Sequence, residues 1–288
     1  MLIRRNLMLF FRDKTNVFFS LMAVLIIIGL YVMFIGNIME GALTAQLGIY
    51  SERTGVAVAS LMLSGLVAIT SVTSCIGAIG ISIVDRERAA KDFFTSPVSR
   101  GRITFSYIVG SAGVGMIMTL VALTLCIVYI VSRGASVPGA NEWGLLALTT
   151  VLSVACANAL VFFMASFAQS THAFSAMSSV VATLIGFLMG VYVPMGNMPE
   201  TVQRVISIFP MAHAASMYRQ ILADGELYDL FTGVGASPEA LQGFREFFGV
   251  IFRFGNLEST FWLSALWLLI STLIFFGLSL VFISKKKV

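Results

Sequence analysis

Charge is what this sequence has least of, and where it is missing the gaps are long. From Trp143 to Pro199 there is no Asp, Glu, Lys or Arg in 57 residues, and further charge-free windows run over Thr15–Met39, Thr54–Val84, Ile103–Ser132 and Ser259–Ser284. Only 11% of the 288 residues are charged while 58% are hydrophobic, against roughly 25% charged in an average soluble domain. No soluble core hides that much apolar surface, so the composition excludes a soluble globular protein.

Other scarcities narrow the chemistry. Cys75, Cys126 and Cys156 all fall inside apolar stretches and share no C-x-x-C or Cys/His spacing, which reads as packing and not as a metal or redox site. Two well-separated histidines and no acids within the windows argue against the residue cluster that a polytopic membrane enzyme needs. Ion-coupled transporters generally carry an ionisable side chain at membrane depth. The windows hold none, and Asn158, Gln169 and His172 read as packing or turn groups. A G-x-x-x-x-G-K-[ST] phosphate loop is also missing, so uphill transport would draw its energy from another protein.

What is present is a set of membrane spans. A crossing takes about 20 apolar residues, so the longest window holds two, divided at the polar tetrapeptide Gln169-Ser170-Thr171-His172. The expectation is an all-α integral membrane protein of one domain, 1–288, with six transmembrane helices at about 16–38, 55–84, 103–132, 143–168, 172–194 and 259–284. The N-terminal segment, the 85–102 loop, the turn near 170 and the C-terminus hold 12 basic and 4 acidic residues; the other connections hold 6 and 10. Basic loops stay inside, which puts both termini in the cytoplasm and makes the net +4 a topology signal with no bearing on nucleic acid. Met1–Lys14 is too charged for the apolar region of a cleaved signal.

The polar segments carry further expectations. On a helical wheel Ile3, Leu7, Phe10 and Phe11 share a stripe opposite Arg5 and Arg12, as in an interfacial helix over 3–14; a basic flank that anchors the first span is the alternative. Residues 85–96 read as a separate short helix, with Ala89, Ala90, Phe93 and Phe94 on one half and Glu87, Arg88, Lys91 and Asp92 on the other. Thr95-Ser96-Pro97 stops it. Two aromatics beside water ask for a docking surface, unless they sink into the lipid interface. On the outer side Val202, Val205, Ile206 and Phe209 form an amphipathic turn after Pro199, Pro210 ends it, and a second amphipathic stretch covers 211–222; both are expected at the outer surface, before a long external loop over 223–258 that either recognises substrate or merely connects. Gly186-x-x-x-Gly190, Ser60-x-x-x-Ser64 and Gly77-x-x-Gly80 offer close helix contacts, within one bundle or between two.

Taken together, the basic N-terminal helix, six spans, ERAAKDFFTSPVSR from Glu87 to Arg100, and VPMGNMP from Val193 to Pro199 followed by Phe209-Pro210 make the chain resemble the permease subunits of type-2 ABC exporters. The resemblance implies that 85–96 is a cytoplasmic coupling helix seated in a groove of a separate ATP-binding subunit. Its contacts would be Glu87, Arg88, Lys91, Asp92, Phe93, Phe94, Thr95, Ser96 and Pro97. It also implies a second permease copy or paralogue, a place in the cell membrane among lipids, ATP bound by the partner and not by this chain, and neither metal nor nucleic acid. An energy-independent channel or scramblase is the alternative, and it leaves the 85–97 helix unused.

Overall fold

Long apolar stretches with few helix breakers fold as helices in this chain, because in lipid every backbone polar group must be satisfied within its own segment. The computed structural model describes residues 2–30, 33, 41, 52–95, 100–168, 170–254 and 257–285. Helices α1 (Leu2–Arg12) and α2 (Lys14–Leu30) lead into α3 (Glu52–Thr95), α4 (Arg100–Ser132), α5 (Ala140–Phe167) and α6 (Thr171–Leu188). A 3-10 turn at Met195–Asn197 precedes α7 (Glu200–Ile208), α8 (Pro210–Leu222), α9 (Asp224–Gly233) and α10 (Pro238–Phe247). A two-stranded antiparallel ribbon, β1 (Arg253–Phe254) with β2 (Leu257–Glu258), pairs Arg253 with Glu258, and α11 (Phe261–Lys285) closes the chain.

Among the described residues five helices are long and apolar enough to cross a membrane, over Arg53–Asp85, Gly101–Ser132, Ala140–Phe167, Thr171–Leu188 and Phe261–Phe282. The protein is a multi-pass, nearly all-helical membrane protein. The remaining expected span, 16–38, is seen as α2 as far as Leu30; most of the rest of it lies outside the described residues. Helix α3 is the centre of the bundle, packed on α4, α5, α6 and α8. Its apolar stretch is 61% buried, against 22% for α6 and 28% for α11. Ala57, Ala59, Ser60, Ser64, Ala68 and Ser71 are all buried along it, and small side chains let neighbouring helix backbones approach closely in lipid. Where the chain turns between α5 and α6, Ser170 caps the new helix, its Oγ accepting from the Ala173 amide at 3.2 Å.

Several expectations are corrected. The helix expected over 3–14 breaks at Asp13, and α1 buries one ring in the bundle: Phe10 is 1% exposed among Ala78, Val114 and Met118. Its ring sits where a Cβ on Gly77 would come within 3.3 Å, and Leu7 fills the notch left by Gly113. Phe11 and Arg12 stay exposed, so the apolar stripe divides between protein and surroundings. The span expected to reach 194 ends at Leu188, because the chain turns through Gly190 with φ +62°, a left-handed conformation that glycine adopts without a Cβ penalty.

The separate helix expected at 85–96 is instead the last part of α3, which continues unbroken to Thr95. No proline or glycine falls between Val84 and Thr95 to stop it. The 211–222 stretch is not at the surface: every residue of α8 from Met211 to Arg219 is buried. Ala212, Ala214, Ala215 and Ser216 let it fit between α3, α5 and α11. Residues 223–258 are no long loop. Ser237 Oγ caps α10 by accepting from the Ala240 amide, and Phe231 of α9 meets Phe244 of α10 with ring centroids 5.3 Å apart.

Candidate functional site

The candidate site begins where α3 leaves its apolar stretch. The neighbours there are α1, the start of α4, the α5–α6 turn and the last turns of α11, where Phe282 meets Phe167 with ring centroids 4.8 Å apart. This is the near end of the bundle. Arg5 Nη2 donates to both carboxylate oxygens of Asp85, at 2.6 and 2.7 Å, and the Tyr107 hydroxyl donates to Asp85 Oδ2 at 2.7 Å. One carboxylate thus joins α1, α3 and α4 by charge-assisted bonds, which are shorter and stronger than neutral ones. The Asp85 hydrogen bond holds the Arg5 guanidinium above its ordinary pKa. Asn6, seated against Gly110, adds a 3.4 Å bond from Nδ2 to Ser106 Oγ.

Two residues further on, Glu87 Oε1 accepts from the Thr171 amide at 2.7 Å and Oε2 from the Thr171 hydroxyl at 2.5 Å. An anion at a helix N-terminus meets unpaired amides and the positive end of the helix dipole. Glu87 therefore fastens α3 to α6 while the residue itself stays exposed. The backbones of Arg88, Lys91, Asp92, Phe93, Phe94 and Thr95 continue α3 beyond these clamps, while their side chains, and all of Ser96 and Pro97, lie outside the described residues.

The opposite, far end of the bundle is organised by a residue that the charge-free windows passed over. Arg219 of α8 is 2% exposed. Its Nε donates to Leu61 O at 3.2 Å, Nη1 to Gly249 O at 3.3 Å, and Nη2 to Met189 O at 2.8 Å and Gly190 O at 3.1 Å. Two of these carbonyl groups lie just past the end of α6 and one just past α10. Both turns are made by glycines with positive φ, +62° at Gly190 and +66° at Gly249. A cation is favoured where helix C-termini present their carbonyls, and the planar guanidinium supplies several donors in a fixed fork. Burial pulls the Arg219 pKa down to about 10, far enough above neutrality that the charge is kept. The guanidinium reaches α3 because residue 65 is glycine: a Cβ there would lie 2.8 Å from Arg219 Nη2 and 2.5 Å from Val191 Cγ2.

The rest of α8 is tied down in the same way. His213 Nε2 lies 2.8 Å from Ser207 O, which can only accept, so Nε2 carries the proton and Nδ1 accepts from Ser264 Oγ at 3.1 Å. Burial lowers the His213 pKa and keeps the ring neutral. Tyr218 donates to Thr150 Oγ1 at 3.0 Å and Ser216 to Val250 O at 2.6 Å.

The small-residue pairs serve this one bundle. Ser60 and Ser64 are buried along α3 with Ser64 Oγ bonded to Ser60 O, and Gly80 meets the Phe174 ring. Gly186 is covered by the ring of Tyr192, and Gly190 lies beyond the end of α6. Asn158 accepts from Ser111 at 2.6 Å and donates to Ile108 O at 3.0 Å, joining α5 to α4.

Comparison with curated proteins gives no match. The model of the family described as ABC-2 family transporter protein matches residues 50–281, from just ahead of α3 almost to the end of α11.

Proposed function

We infer that this chain, which belongs to the ABC-2 transporter family and so is a membrane subunit of an ABC transporter, exports its substrate with energy from ATP hydrolysed on a separate subunit. The family normally works with such a subunit. In our reading ATP binds to that partner, the near end of the bundle faces the cytoplasm, and two permeases, identical or paralogous, share the pathway.

The observation that supports this most is the continuity of α3. The helix emerges past its apolar stretch for about three turns and is clamped at the point of emergence by Arg5–Asp85–Tyr107 and Glu87–Thr171. A partner seated on residues 88–95 would act on α1, α4 and α6 together through those clamps. Phe93 and Phe94 are the apolar anchors of that contact, with Arg88, Lys91 and Asp92 around them; Thr95, Ser96 and Pro97 complete it.

The test is a double variant, Phe93→Ala with Phe94→Ala, in the assembled transporter. Truncating central aromatic anchors often costs about 2 kcal/mol or more each, so substrate-stimulated ATP hydrolysis should be lost while the permease still inserts. Hydrolysis and assembly like the parent's would refute the coupling role and return those rings to the lipid interface.

A further inference from the structure

At the far end, a cleft of about 390 Å³ opens where the first turns of α5 and α11 meet the end of α8. Small-molecule sites typically occupy about 300–1,000 Å³ and combine an apolar wall with a few placed polar groups. Leu145, Ile221, Ile251 and Phe261 give this cleft its apolar wall, and Glu142, Asp224, Arg245 and Glu258 its charged groups.

The charges do not balance. Arg245 is held by Asp224 through two bonds of 2.6 and 2.7 Å, which neutralises both. Arg253 is shared between Glu246 and Glu258, each at 3.0 Å. Glu142 has no cationic partner among the described residues; its Oε2 accepts from the Gly139 amide at 2.7 Å and Oε1 is left over. The lining itself thus sets three carboxylates, Glu142, Asp224 and Glu258, against the one guanidinium of Arg245.

Depth supplies the second half of the argument. Trp143, next to Glu142, and Trp262, next to Phe261, are 47% and 67% exposed in the first turns of two spans. Exposed tryptophans at the ends of spans mark the boundary between lipid and water. The cleft therefore offers an apolar wall and surplus negative charge at that boundary.

We propose that this cleft binds an organic cation carrying an apolar body, an amphiphilic amine or quaternary ammonium, with its positive group at Glu142 and its carbon skeleton on Leu145, Ile221 and Phe261. The same chemistry belongs to a soluble amphiphilic cation and to a lipid with an ammonium headgroup. The proposal rests on the reading above only in treating such a cation as cargo. Binding is measured without an ATPase, so loss of binding alone and loss of coupling alone are separate results.

The experiment is titration of the fluorescent cation rhodamine 6G against the full chain in nanodiscs of phosphatidylglycerol, read by anisotropy, with the anionic dye fluorescein in parallel. Glu142→Gln keeps the bond to the Gly139 amide, since glutamine also serves at that position of a helix cap. It should weaken rhodamine 6G about tenfold, the loss expected when a hydrogen bond to a charged group goes. Leu145→Trp, which fills the cleft, should abolish binding. Discs containing phosphatidylethanolamine decide the source: competition assigns the cleft to a lipid ammonium, and unchanged binding assigns it to a soluble cation. Equal affinity in a Glu142→Gln protein with the parent's melting midpoint, or equal binding of fluorescein, would overturn the proposal.

Discussion

A buried guanidinium bonded to carbonyls from three separate stretches of chain is the kind of residue whose removal is felt at once. Arg219→Met would strand the carbonyls of Leu61, Met189, Gly190 and Gly249, and each buried acceptor left unsatisfied costs about 1–3 kcal/mol. The purified variant should lose its folded far end at temperatures where the parent is intact, as read by thermal aggregation in detergent. Arg219→Lys should fall between the two, because an ammonium cannot reproduce the fork. Gly65→Ala forces the guanidinium away and should damage the same contact, so combining it with Arg219→Met should cost less than the two costs added. Full additivity would show that the two residues act separately. None of this was legible beforehand: the carbonyls come from residues 61, 189, 190 and 249, and no local pattern ties them to 219. One signal was available in Met211-Ala-His-Ala-Ala-Ser-Met217, whose small side chains suit close packing better than an exposed helix face.

Among the elements, those with a local cause were the easier to read. Four charge-free windows hold the five described helices able to cross a membrane, the longest window two of them, and α5 gives way to α6 around Ser170, inside the polar tetrapeptide. A break is expected between 84 and 85 because a change in composition resembles a boundary, yet the helix runs through it. Polarity changes there, but the backbone has no reason to stop. Likewise α9 and α10 are short, mixed in charge and stabilised by each other through Phe231 and Phe244, so tertiary packing decided what composition alone presented as loop. The unbroken helix also makes a prediction of its own. A proline within a helix costs about 3 kcal/mol and kinks it, so Ala90→Pro places a bend between the Glu87 clamp and residues 91–95. If α3 couples to an ATP-binding subunit as proposed, the variant should still bind that subunit, yet hydrolysis should no longer respond to substrate. A normal response would mean that α3 does not carry the signal.

The whole molecule is polarised, and its two ends should be distinguishable from outside the cell. Arg102 and Glu239 are both exposed, the first at the near end and the second on α10. In intact cells an impermeant thiol reagent should label Glu239→Cys and spare Arg102→Cys. The reverse pattern would invert the topology.

At 1.5 Å per residue the 44 residues of α3 measure about 66 Å, against a hydrocarbon core about 30 Å thick. Leu61, which receives Arg219, and Asp85, which receives Arg5, lie on that one rod about 36 Å apart. A rod with no joint works as a thermodynamic linkage: any cargo that shifts it by binding at one end must change a partner's affinity at the other by the same factor that the partner changes the cargo's. Measured as two dissociation constants, each with and without the other ligand, the two ratios should be equal, and a factor of one in both would mean that the ends of α3 do not communicate.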